Sequence, residues 1–160
     1  MSNHVYAHLV YGFVVLDDDG ENPAEESPPS WLLKDPTNGE GEEMLLKDII
    51  SHLENIQPPT EEYDKNNPEV VQKYKDYWEA VGRAEKQSGI VLVDHCRTEH
   101  PMWVLGIAES HHSEWRGDVA RLGQKIEAKP EWRELLKSFC ERAGIPFTEP
   151  EWLLAPYSEE

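Results

Sequence analysis

The chain has 160 residues and sets 32 acidic side chains against 15 basic ones, a formal charge of −17, while keeping 38% hydrophobic residues and six Trp. That length and aromatic content predict one folded domain with a real core, not a disordered acidic tail. The charge argues against direct binding to nucleic-acid phosphates or to an anionic membrane surface, since both need clustered Lys and Arg.

The first segment, His4 to Leu16, is rich in β-branched and aromatic residues and reads as a strand buried on both faces. Gly12 within it suggests a bulge or a close backbone approach. Asp17-Asp18-Asp19-Gly20 ends the strand, and a loop follows through Pro23, Pro28, Pro29, Pro36 and Gly39. Trp31-Leu32-Leu33 forms an apolar anchor within that loop.

Glu42 to Ile56 carries Leu45, Leu46, Ile49, Ile50 and Leu53 at helical spacing, and Pro58-Pro59 stops it. Pro68 to Ser88 predicts a longer helix with the stripe Val70, Val71, Tyr74, Tyr77, Trp78 and Val81. Gly89–Cys96 and Met102–Glu109 predict two strands of a hairpin, with Cys96 opposite Met102. In that register Ile90, Leu92 and Val104 share one face, and Val91, Val93, Trp103, Leu105 and Ile107 share the other. Residues 110–129 are ambiguous between strand and short helix around Glu114-Trp115-Arg116-Gly117. Pro130 to Ala143 places Trp132, Leu135, Leu136, Phe139, Cys140 and Ala143 on one helix face. Trp152-Leu153-Leu154, an echo of Trp31-Leu32-Leu33, reads as a separate tryptophan anchor.

These elements predict an α+β domain over residues 1–160. About three strands form a central antiparallel sheet, packed by three helices, with an acidic loop-rich insertion at about 17–64. The expected core includes Trp78, Trp103, Trp132 and Phe139. No basic stretch precedes an early apolar run, the first Lys or Arg being Lys34, so a cytoplasmic protein without a secretory leader is expected. Two isolated cysteines, Cys96 and Cys140, fit a reducing compartment.

Candidate chemistry is sparse. The best metal-ligand set is Asp94, His95 and Cys96 with His100, joined by His111 and His112. Strand alternation puts Asp94 and Cys96 on one face and His95 on the other, so they do not converge. Cys140 lies on an apolar helix stripe, where a thiol is a small buried hydrophobe. Asp17-Asp18-Asp19 lacks the further ligands of a calcium loop. The expectation is no metal, no cofactor and no enzyme; the alternative is a small metal-dependent enzyme or zinc-binding protein using Asp94, His95, His100, His111 and His112.

Charge distribution is the sharpest feature. Residues 17–64 hold 15 acids and two Lys, or −13, whereas residues 65–160 hold 17 acids and 13 bases, or −4. Carboxylates interleaved with apolar anchors present a field similar in sign to a phosphate backbone. The residues expected to carry partner binding are Asp17, Asp18, Asp19, Glu21, Glu25, Glu26, Asp35, Glu40, Glu42 and Glu43, with Trp31 and Tyr63 as contact anchors.

The Tyr11-Gly12-Phe13 strand, the Gly89–Gly106 hairpin and the tryptophan-anchored end at Trp132 and Trp152-Leu153-Leu154 resemble small acidic phage-encoded proteins. Some of those proteins are nucleic-acid mimics that inhibit host restriction or CRISPR complexes. The charge pattern leads to the expectation of a monomeric or homodimeric interaction protein whose partner is a basic, nucleic-acid-binding protein, and the resemblance implies an anti-restriction or anti-CRISPR role for it.

Overall fold

The computed structural model describes residues 5–15, 42–97, 100–115, 118 and 126–158. Among the described residues five strands and three helices make up an α+β fold: β1 (Val5–Val14), α1 (Glu42–Leu53), α2 (Pro68–Ser88), β2 (Ile90–Arg97), β3 (His100–Ile107), β4 (His112–Trp115), α3 (Pro130–Ala143) and β5 (Glu151–Ser158).

Local chemistry sets the helix limits. The Asn67 side chain accepts hydrogen bonds from the Glu69 and Val70 amides, Pro68 occupies the first turn of α2, and Gly89 ends it at φ 69°. Gly144, at φ 70°, ends α3, where the Ile145 amide donates to the Cys140 carbonyl at 2.9 Å. α1 ends at Leu53, three residues before the sequence limit. Asn55 turns the chain at φ 54°, and the Ile56 amide donates back to the Ser51 carbonyl at 2.8 Å.

The strand order is β3-β2-β5-β1-β4, with a further pairing between β3 and β1. One edge of β1 pairs with β4 over Tyr6–Leu9 and with β3 over Gly12–Val14; its other edge pairs with β5 from Val5 to Gly12. β5 reaches β2 by a short parallel contact, Cys96 opposite Tyr157 and Arg97 opposite Ser158. The circuit β1–β5–β2–β3–β1 therefore closes on itself.

Two strands exceed the three expected. β4 supplies a strand at His112–Trp115 within the ambiguous stretch, of which residues 116, 117 and 119–125 lie outside the described residues, and β5 is the Trp152-Leu153-Leu154 segment, which lies along nearly all of β1 and is not a detached anchor.

The hairpin register also differs from the expectation by one residue: Cys96 lies opposite Pro101, and Arg97 opposite His100. Directly opposed residues share a face, so the shift regroups every side chain along the pair. Ile90 now meets Ile107 and Leu92 meets Leu105 on the side covered by helices. Val91 meets Gly106 and Val93 meets Val104 on the other side.

The reason is volume. The large residues, with Phe13, Trp103, Trp132, Leu136 and Phe139, fill the main core beneath the helices. The second cluster, on the opposite face, is built from Val10, Val93 and Val104. There the backbones close up, and a Cβ added at Gly12 would sit 2.2 Å from the Leu105 carbonyl oxygen. Gly12 is the close approach that its place in the strand suggested.

Trp103, Trp132 and Phe139 are buried as expected. Trp78 is not. It is 42% exposed, because α2 packs chiefly on α1 and buries only Val70 and Val81 among its residues. Among the described residues no helix is long and apolar enough to cross a membrane.

Candidate functional site: the acidic turn at Tyr63 and a histidine pair

Asp17, Asp18, Asp19, Glu21, Glu25, Glu26, Trp31, Asp35 and Glu40 lie outside the described residues. Glu42 and Glu43 are the first two positions of α1. Tyr63 lies in the connection between α1 and α2, and this is the part of the acidic region whose geometry is defined.

That connection is pinned at several points. Glu54 at its start accepts a hydrogen bond from Arg142 Nη2 of α3 at 2.6 Å. Glu61 takes Lys73 of α2 as an ion-pair partner, and its carbonyl accepts from the Tyr74 hydroxyl at 2.8 Å. The Lys73 ammonium holds the Glu61 carboxyl below the usual carboxylate range. Tyr63 stands edge-to-face on Tyr74, with ring centroids 5.2 Å apart. Asp64 accepts from the Asn66 amide at 2.9 Å, which shapes the turn into the Asn67 cap.

Anchored in this way, the turn presents Glu62, Tyr63 and Asp64 to solvent, with Tyr63 56% exposed. An aromatic face flanked by carboxylates suits a cationic side chain. Arginine is favoured because its planar guanidinium both stacks on a ring and bonds a carboxylate.

The histidines are arranged differently from the expected metal set. Asp94 and His95 lie in β2, opposite Trp103 and Met102, and His100 in β3 lies opposite Arg97. His111 precedes β4 and meets a residue absent from that set: His8 Nδ1 is 3.0 Å from His111 Nε2, with the rings stacked at 5.2 Å. His112 starts β4 opposite Leu9 of β1. Recognising His8 required knowing that residues 112–115 pair with the first half of β1, and that long-range pairing leaves no mark in local sequence. Burial, then the neighbouring His8 and His112, pushes the His111 pKa down to about 4, so His111 is neutral at physiological pH.

Among the described residues no three His, Cys, Asp or Glu side chains converge to hold a metal ion. Cys140 is fully buried, and burial pushes its thiol up to about 12, the opposite of what a nucleophile needs. The cavity between Ile50, Leu53, Ser88, Leu135 and Phe139 holds about 50 Å³. Small-molecule sites occupy roughly 300–1,000 Å³. No protein-family model matches the chain, and neither does any curated protein or solved structure.

Proposed function

We propose that the protein is a non-enzymatic acidic interaction protein that inhibits or regulates a basic, nucleic-acid-binding partner. The observation that carries this reading is the concentration of −13 of the −17 net charge in residues 17–64. The exposed Glu62-Tyr63-Asp64 turn adds a pinned aromatic contact at the end of that region. Electrostatic steering toward a positive cleft speeds association and disfavours acidic bystanders. The resemblance to small acidic phage proteins extends the proposal to an anti-defence role, with a host restriction or CRISPR complex as the basic partner.

The test is capture of host proteins on the immobilised full chain, eluted either with duplex DNA or with salt. Partners that bind nucleic acid, leave the chain when DNA is added and bind several-fold more weakly from low to physiological ionic strength support the reading. Reversal of Asp17, Asp18 and Asp19 to Lys should slow association. The same reversal at Glu127, Glu131 and Glu134, which lie in the nearly balanced part of the chain, should have little effect. Equal behaviour of the two triple variants, or indifference to salt, reduces the acidic region to a solubilising surface.

A further inference from the structure

Beyond the acidic turn, α2 carries a second exposed face whose residues are complementary to themselves. Val71, Lys75, Trp78, Gly82 and Glu85 follow one another at intervals of four, three, four and three residues, which places them along one side of the helix. Trp78 is 42% exposed in the middle of that line. One turn on, a Cβ built at Gly82 meets nothing within 4 Å. Glycine in a helix interior is destabilising relative to alanine, and here no contact among the described residues requires it.

We propose that this face is a homodimer contact, in which two α2 helices cross antiparallel about a two-fold axis at Ala80. That axis lays Trp78 of each copy into the open notch at Gly82 of the other and sets Lys75 opposite Glu85. The charge pattern of this face suits a second copy. α2 balances Glu69, Asp76, Glu79 and Glu85 against Lys73, Lys75, Arg83 and Lys86, so it is neutral within a chain of −17. Two copies that meet on it bring no excess of like charge into the contact. Lys75 also lies 4.0 Å from Glu79 of its own helix, an exposed pair too weak to withdraw it from a new partner.

Size sets the strength. With the axis level with Ala80, residues 72–88 of the two helices overlap, about 25 Å at the helical rise, and a strip about 10 Å wide gives roughly 500 Å² buried over both copies. That is below the roughly 1,200 Å² of stable complexes, so the dimer is weak and forms at roughly 0.1 mM and above.

Sedimentation velocity on the full chain from about 10 µM to about 1 mM reads this directly, since that range brackets the expected dissociation constant. The dimer should strengthen as salt rises toward physiological levels, because screening relieves the repulsion between two acidic molecules. This is the opposite sign to binding of a basic partner, so failure of either idea leaves the other standing.

Gly82→Ala should raise Tm by about 2–4 °C through helix propensity, yet raise the dimer dissociation constant roughly tenfold by filling the notch. Lys75→Glu or Glu85→Lys alone should weaken the dimer roughly fivefold, and the two together should restore it. A chain that stays monomeric at about 1 mM overturns the proposal. So does a dimer that ignores both Gly82→Ala and Trp78→Ala, or a double charge swap that fails to restore association.

Discussion

α3 and α2 start and stop by the same devices, a proline at the first turn and a glycine in the left-handed region after the last, yet only α3 lies on the sheet. α3 buries Trp132, Leu136, Phe139 and Cys140, whereas α2 buries Val70 and Val81 and leaves Trp78 42% exposed. Both sequences show apolar residues at helical spacing, and both predict a buried tryptophan. Periodicity identifies the apolar side of a helix. Whether anything in the same chain covers that side depends on contacts between distant segments. α3 packs under β3 and receives Tyr11 of β1 and Trp152 of β5, while α2 has α1 along one side.

The sharpest way to test this contrast is to truncate the buried tryptophan. Trp132 is 5% exposed, has Tyr11 at 5.8 Å and Trp152 at 6.1 Å between ring centroids, and donates its indole N–H to Glu109 at 3.3 Å. Trp132→Ala should cost about 3–5 kcal/mol, from lost transfer energy and the cavity left behind. The denaturant midpoint of the variant checks it, and a midpoint matching wild type would place the side chain in solvent.

Much of this contrast was legible before the structure, and the illegible part has physical causes. The ends of α2 and α3 are written in Asn67, Pro68, Gly89, Pro130 and Gly144, because capping chemistry is local. The strands β1, β2 and β3 follow from their β-branched runs. β5 was hidden because it carries Pro156 and repeats the Trp-Leu-Leu of a loop, and its identity as a strand comes from β1 beside it. The one-residue register error has the same origin. Apolar residues on both faces of the hairpin make two registers equally plausible from sequence, and the choice is made by Gly12 closing on Gly106. At the candidate site, the expectation at Tyr63 rests on its acidic surroundings in sequence. His8 and His111 were not paired, because 103 residues separate them.

A smaller effect comes from the histidine pair, which separates the β1–β4 edge from the helix-covered core. The His111 pKa is lowered from 6.5 to about 4, first by burial and then by the charges of His8 and His112. The folded state therefore holds this imidazole neutral, while the unfolded chain protonates it below about 6.5. The stabilisation is fully present above that pH and is lost as pH falls through the window from 6.5 to about 4. Allowing for partial exposure, the loss is on the order of 1–2 kcal/mol. Tm measured across that window for wild type and His111→Gln checks it: the wild-type curve should fall more steeply, and parallel curves would remove His111 as the cause. Glu61, Glu109 and Glu149, whose carboxyls are held below 4.5 by Lys73, Lys129 and Arg133, act from the lower end of this window downward, and they contribute equally to both curves.

The smallest effect belongs to Trp78, and it decides whether the comparison between the two helices holds. Its ring has Tyr77 edge-to-face at 4.8 Å and is otherwise substantially open to water. Truncation to alanine leaves no enclosed cavity at so exposed a position, so Trp78→Ala measured at low micromolar concentration should cost about 1 kcal/mol, well below the cost at Trp132. A cost approaching that of Trp132→Ala would mean that some other part of the chain covers the outer face of α2. That result would return α2 to the interior alongside α3, and the face would no longer be available to a second copy. A small cost, combined with a Tm that rises with protein concentration in wild type but not in the variant, separates the roles of the two tryptophans. Trp132 then stabilises the fold, and Trp78 stabilises an encounter.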